Sequence, residues 1–219
     1  MDVLNQLVET FAPGLKQSDR APSPKALAVW RRVDKFDTAV SRVIDRRRTP
    51  KSDRFFSALS SAADHSLLWF TAGTVRGATS RHHPGFPWGL YASQILQSGF
   101  VNGVLKPLFN RPRPVGFEDD LQMGMHRPIT SSFPSGHAAS AFAAAVVLAD
   151  DDPLGPFYYA LAGLVAYSRV HTRMHHASDV LVGSVIGLGL GYVSRSAIHA
   201  AERIQHTSNG TASIEAATP

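Results

Sequence analysis

The sequence predicts an all-α protein: an integral-membrane helical bundle of about five spanning helices, preceded by one amphipathic helix. Three observations carry that expectation. Five mostly apolar runs recur through the middle of the chain, at 55–75, 86–105, 138–149, 155–167 and 180–193. They are apolar nearly all round rather than along one stripe, as helices in lipid or in a large core must be. Glycines recur four apart, Gly183, Gly187 and Gly191 in the last run and Gly99 with Gly103 in the second. That spacing lets helix backbones approach closely in a membrane.

The bulk composition is less direct. The 219 residues average close to neutral hydropathy (−0.07), but polar ends dilute an apolar middle. The net charge of +5 and pI near 9.8 point to an anionic partner. The chain has no cysteine, which excludes disulfides, zinc–thiolate sites and thiol catalysis.

Residues 1–24 hold Pro13-Gly14 and Pro22-Ser23-Pro24 and read as a flexible arm, without the basic start and apolar run of a cleaved signal peptide. Residues 25–48 differ. Leu27, Trp30, Val33, Phe36, Val40, Val43 and Ile44 recur at helical spacing, with Arg31, Arg32, Lys35, Arg42 and Arg46 to Arg48 between them. This is a basic amphipathic helix, either covering a core or lying on an anionic membrane surface. No recognition motif accompanies the charge, so nucleic acid is not an expected partner.

The domain expected at 25–195 continues with the bundle at 55–195. The first run contains Asp64-His65, an ionisable pair that is expensive in lipid and so faces the bundle interior. Two roles stand open for it: supporting a site or a substrate path, or hydrogen-bonding to a neighbouring helix near the interface. Trp69, Trp88, Tyr91, Tyr158, Tyr159, Tyr167 and Tyr192 lie towards run ends, as interfacial anchors do. Several runs fall short of the roughly 20 residues a span needs, so a soluble bundle is the competing architecture. Residues 196–219 turn polar and read as a disordered tail.

Three stretches carry chemistry. The first is Ser168 to Asp179, with two arginines, three histidines and an aspartate. His175 and Asp179 are four apart, so on a helix the carboxylate could accept the imidazole Nδ1 proton and free the other nitrogen as base or nucleophile. Arg169 suits a phosphate oxygen. His171, His175 and His176 could instead form a metal cluster or decorate a loop. The second is Lys106 to Pro114, three cations on a proline-stiffened exit, which alone is an ordinary basic loop. The third is Phe133-Pro134-Ser135-Gly136-His137, opening the third run. Ser135 can cap a helix there, Gly136 permits close backbone approach, and a helix N-terminus binds phosphate. Alone, it is a capped helix with an exposed histidine.

Together these stretches resemble, in order and spacing, the type-2 phosphatidate phosphatase and vanadium haloperoxidase superfamily. Its first motif is Lys, six residues, Arg-Pro, matched by Lys106 and Arg113-Pro114; Arg111 offers a competing register, but the family spacing selects Arg113. Its second is Pro-Ser-Gly-His, matched by Pro134 to His137. Its third is Ser-Arg, five residues, His, three residues, Asp, matched by Ser168-Arg169, His175 and Asp179. The resemblance implies a membrane lipid phosphatase working through a phosphohistidine. By similarity His175 is the nucleophile, Asp179 orients it, and His137 protonates the leaving alkoxide. Lys106, Arg113, Arg169, Ser135 and Gly136 hold the phosphate, and neither metal nor cofactor is needed. The expected substrate is a phosphatidate-like or polyprenyl-phosphate-like lipid. The alternatives are a soluble acid phosphatase or vanadate-dependent haloperoxidase with the same motifs, and a non-catalytic lipid-binding membrane module.

The motifs follow run two, precede run three, follow run four and precede run five. In an all-spanning bundle these points share one side of the cell membrane. Well-known bacterial members of the family have six spans, so five is a departure. The basic N-terminal segment shares the site's side and Asp150-Asp151-Asp152 lies opposite, which places the site towards the cytoplasm.

Overall fold

A computed structural model describes residues 24–79, 86–109, 111–114 and 130–216. The expected arm lies outside the described residues except for Pro24, which opens the first helix. The helices are α1 (Pro24–Asp45), α2 (Pro50–Ala62), α3 (Leu67–Thr79), α4 (Phe86–Gly99), α5 (Gly136–Leu148), α6 (Gly155–His171) and α7 (Ala177–Ala216). A 3-10 turn, Asp64–Ser66, separates α2 from α3. A π turn, Phe100–Leu105, and a 3-10 turn, Lys106–Leu108, extend α4. There is no strand among the described residues.

The middle of the bundle is α5, packed between α4, α6 and α7. Its alanines at 138, 139, 141 and 143–145, with Val146, Val147 and Leu148, are all buried. Small side chains on α5 meet glycines on α7. A side chain at Gly183 or Gly187 would strike the backbone of Ser135 or Ala139, and one at Gly191 would come within 2.8 Å of Val146. These glycines seat α7 on α5, as their spacing predicts. Gly99 and Gly103 do not act this way: both face open space among the described residues.

The run at 55–75 is not one helix. Thr49 caps α2, its hydroxyl accepting from the Ser52 amide at 3.2 Å while the Ser52 hydroxyl accepts from Thr49 N at 2.9 Å. The chain then breaks at Asp64–Ser66, with Ser66 at φ 59°. The break is fixed by polar side chains finding partners on α5: Ser66 Oγ lies 2.9 Å from Ser140 Oγ, and Asp64 reaches His137. Trp69, expected near an interface, is fully buried against this core, whereas Trp88 on α4 is 74% exposed.

Ile95 and Leu96 on α4 and Leu181, Val185, Tyr192 and Val193 on α7 also stand exposed, an apolar exterior of the kind lipid covers. The Ala177–Ile204 segment of α7 is long and apolar enough to cross a bilayer, with a mean hydropathy of 1.4. The 13-residue α5 reaches only about 20 Å, against a hydrocarbon core of about 30 Å. Among the described residues α7 is the helix that combines the length and the apolar composition to cross a bilayer; α1, with 22 residues, has the length without the composition. The tail expected to be loose from 196 is helical through Ala216. Ala197, Ala200, Ala201 and Glu202 favour helix, Ile198 packs on Gly89, and His199 pairs with Asp150.

Candidate active site

The C-terminal end of α4 with its turns, the N-terminus of α5, the C-terminus of α6 and the N-terminus of α7 meet at one end of the bundle. Here α6 stops at His171, Arg173 takes φ 52°, and the amides of Met174 and His175 both donate to the Arg169 carbonyl, at 3.0 and 3.1 Å. This tight return buries His175, leaving it 2% exposed.

Nδ1 of His175 donates to the carbonyl of Ser132 at 2.6 Å. Asp179 Oδ2 lies 3.9 Å from the same nitrogen. This corrects the expectation that Asp179 accepts that proton. The physical reason is the position of the helix start. His175 precedes α7, so the two residues do not share a helical turn, and Asp179 sits in the first turn of α7, accepting from the His176 amide at 2.9 Å. The tautomer is the one expected, with Nε2 carrying the lone pair, but a backbone oxygen sets it.

Three cations surround His175. Arg113 is buried, donating through Nη1 to the Met174 carbonyl and through Nη2 to the Thr130 carbonyl at 3.3 Å. Arg169 is buried, donating to Ser60 Oγ and lying 3.8 Å from Asp64. Lys106 Nζ would stand 3.9 Å from a Cβ placed on Gly136. Burial first, then Arg113 and Arg169, lowers Lys106 to about 8. Burial first, then Arg113, Arg169, Lys106 and His137, holds His175 well below the usual histidine range, so it is a neutral base among fixed positive charges.

Ser135 caps α5. Its hydroxyl accepts from the Ala138 amide at 3.4 Å, and its own amide donates to the Asp179 carbonyl at 3.0 Å. The Ala139 amide bonds to the Ser135 carbonyl, which leaves the Gly136 and His137 amides at the open helix end. His137 Nε2 lies 2.7 Å from Asp64 Oδ1, a hydrogen bond from the turn before α3 to the neighbouring helix α5, at a residue of the second motif. The side chain of His65 lies outside the described residues.

The three histidines of the first stretch turn to separate partners. His171 Nε2 meets Asp53 at 2.7 Å, His176 Nε2 meets the Pro112 carbonyl at 3.2 Å, and His175 faces Ser132. Among the described residues no three such groups converge as metal ligands do.

Two residues that brace the site were not singled out from the sequence. Arg111 donates to Asp37 Oδ2 at 2.5 Å and also to Asp179 Oδ1. Asp37, on α1, further accepts from the Ser178 amide at 2.8 Å and hydroxyl at 2.7 Å. The amphipathic helix is thus tied to the start of α7. A signal was available: Asp37 falls on the Val33, Val40, Ile44 face of α1, and a carboxylate on a buried stripe requires a cation.

This architecture and this group of side chains define a class, and comparison gives it a name. The PAP2 superfamily model matches residues 87–203, and the chain belongs to that superfamily. It is 35% identical over 113 residues to a lipid A 1-phosphatase of Porphyromonas gingivalis, covering 48% of this chain and 23% of that relative. It is 31% identical over 126 residues to a decaprenylphosphoryl-5-phosphoribose phosphatase of Mycolicibacterium smegmatis, covering 58% and 68%. The crystal structure of Aquifex aeolicus LpxE superposes with a TM-score of 0.58 at 28% identity, over 72% of this chain and 93% of that one. The chain therefore spans under a quarter of the first relative and about two thirds of the second. Its apolar exterior and an α7 long and apolar enough to cross a bilayer suit a membrane setting.

Proposed function

We propose that the chain is a membrane lipid-phosphate phosphatase acting on a phosphate monoester or diphosphate through a phosphohistidine. The observation that carries this reading is a neutral, buried His175 with its Nε2 free, enclosed by Lys106, Arg113 and Arg169 beside an open helix N-terminus. A phosphoryl group needs that charge around its equatorial oxygens and a base in line with the leaving oxygen.

In the first step His175 Nε2 forms a bond to phosphorus as the phosphorus–oxygen ester bond breaks. His137 gives its proton to the leaving alkoxide. In the second step His137 takes a proton from water, the water oxygen bonds to phosphorus, and the nitrogen–phosphorus bond returns its electrons to His175. Asp179, 3.9 Å from Nδ1, stabilises the positive charge His175 develops, by field rather than by hydrogen bond. The side chains supply the positive charge, so activity is expected to persist in chelator.

The relatives' names put lipid A and decaprenyl phosphosugar substrates within the expected range, and the site accepts the phosphate they share. Val29, Phe36 and Val43 form an exposed stripe on α1 beside exposed Arg31, Arg32, Lys35 and Arg42. That arrangement suits the anionic cytoplasmic surface. A single cysteine at Arg47 in this cysteine-free chain, labelled from either side, reports the orientation; labelling from the external side alone overturns it.

The deciding experiment is phosphate release in detergent micelles from phosphatidate, polyprenyl phosphate and polyprenyl diphosphate, with and without chelator. Release in chelator that His175→Ala abolishes, at normal expression, supports the reading. Near-normal turnover by His175→Ala overturns the nucleophile assignment.

A further inference from the structure

Asp64 has no place in the motifs, yet it sits closer to the site chemistry than Asp179 does to His175. Its Oδ1 lies 2.7 Å from Nε2 of His137 and 3.8 Å from Nη1 of Arg169. The contact follows from the break between α2 and α3. Ala63 ends one helix, Ser66 takes φ 59° and bonds to Ser140, and the turn between them presents Asp64 to the first turn of α5. The break is thus the element that joins the two residues.

We propose that Asp64 is the positioning residue for leaving-group protonation, and that the α2–α3 break exists to deliver it. The inference rests on the phosphatase reading above. The chemistry is specific to one nitrogen. Nε2–H of His137 donates to the carboxylate, so the ring is held in one orientation and Nδ1 is the nitrogen that exchanges a proton with the substrate. The groups facing His137 are Arg169 from α6, Lys106 from the turn after α4, and Asp64 from the turn before α3. Burial first, then both cations, oppose an imidazolium and together outweigh Asp64, the one group among these that favours it, so protonation for catalysis also draws on the anionic phosphate bound beside the ring. Without Asp64 the ring would sit among positive charges with nothing to keep its acidic proton. With it, Nδ1–H gives its proton to the ester oxygen as the phosphorus–oxygen bond breaks, leaving a neutral imidazole whose Nδ1 lone pair later takes the proton of the attacking water. Asp64 keeps its own charge throughout. Its side chain is 44% exposed, at the rim of this end of the bundle rather than in its core.

The test compares two leaving groups. The full chain in detergent micelles is given dioctanoyl phosphatidate, whose alkoxide must be protonated, and p-nitrophenyl phosphate, whose phenolate needs little help. kcat/KM is read because it reports steps up to loss of the leaving group. Asp64→Asn should lower kcat/KM on phosphatidate by about tenfold or more, and on the aryl ester by several-fold less. In a His137→Ala background Asp64→Asn should add no further loss, since its action passes through that ring. Asp64→Glu, which keeps the carboxylate, should recover part of the phosphatidate activity. Equal losses on both esters, or an undiminished loss without His137, overturn the proposal, as does an active, His137-dependent enzyme indifferent to Asp64→Asn. Full activity of His137→Ala on both esters would instead bring down the phosphatase mechanism itself.

Discussion

His175 and Ser132 are joined by a 2.6 Å hydrogen bond from the imidazole Nδ1 to the backbone carbonyl. No side-chain substitution at Ser132 removes that acceptor, so the ring's tautomer is written into the loop rather than into a replaceable carboxylate. Asp179 is released for other work. It receives Arg111 and the His176 amide, and its carbonyl receives the Ser135 amide, so one residue ties the start of α7 to the start of α5.

Lys106 predicts a pH dependence. At about 8 it is charged below that value and neutral above it, so phosphate binding to the free protein weakens as pH rises through 8. A basic limb of kcat/KM is expected there, in addition to the loss of the His137 proton on which leaving-group protonation depends. Lys106→Arg keeps its charge and should move the limb upward, at the cost of a displaced charge. A wild-type profile flat well past pH 8 would remove Lys106 from phosphate binding. His175, held neutral by burial and the surrounding cations, places its acid limb below the ordinary histidine value of about 6.5.

Arg111→Ala should be among the most damaging changes outside the motif positions. It leaves Asp37 and Asp179, with side chains 3% and 0% exposed, without their shared cation. Breaking a buried pair this way costs about 3–5 kcal/mol. A sharp fall in Tm in detergent and lost phosphate release are expected. Arg111→Lys should not restore either, because one ammonium cannot present two separated nitrogens to two carboxylates. Wild-type Tm for Arg111→Ala would show that the bridge carries no stability.

The glycines of α7 and α4 separate packing from helix propensity. Gly187→Val drives a branched side chain into the Ala139 backbone and should force α7 off α5, lowering Tm and activity together. Gly99→Ala meets open space at a helical position, where alanine gains about 0.5–1 kcal/mol over glycine. Its Tm should hold or rise. A destabilised Gly99→Ala would reveal a neighbour that the bundle alone does not show.

Much of the site was legible because its chemistry is local. Lys106, Arg113, Ser135, Gly136, His137, Arg169 and His175 sit at helix ends, and helix ends follow from where apolar runs meet Pro, Gly and Ser. The polar pairs were not legible. Arg111 looked like a spare cation, yet its partners are 74 and 68 residues away, on α1 and α7. The run at 55–75 looked continuous because hydropathy averages over Asp64 to Ser66, and those residues turn aside for partners on α5.

Read by itself, the chain determines its helical class, the close seating of α7 by three glycines, and the types of side chain gathered at one end of the bundle. Periodicity, small residues and motif spacing act over one or two helical turns. The tertiary structure alone decided that Ser132 holds His175, that Asp64 holds His137, and that Arg111 joins α1 to α7. Each of these is a hydrogen bond between segments far apart in sequence, and its length and partner depend on how whole helices cross, which no local pattern encodes.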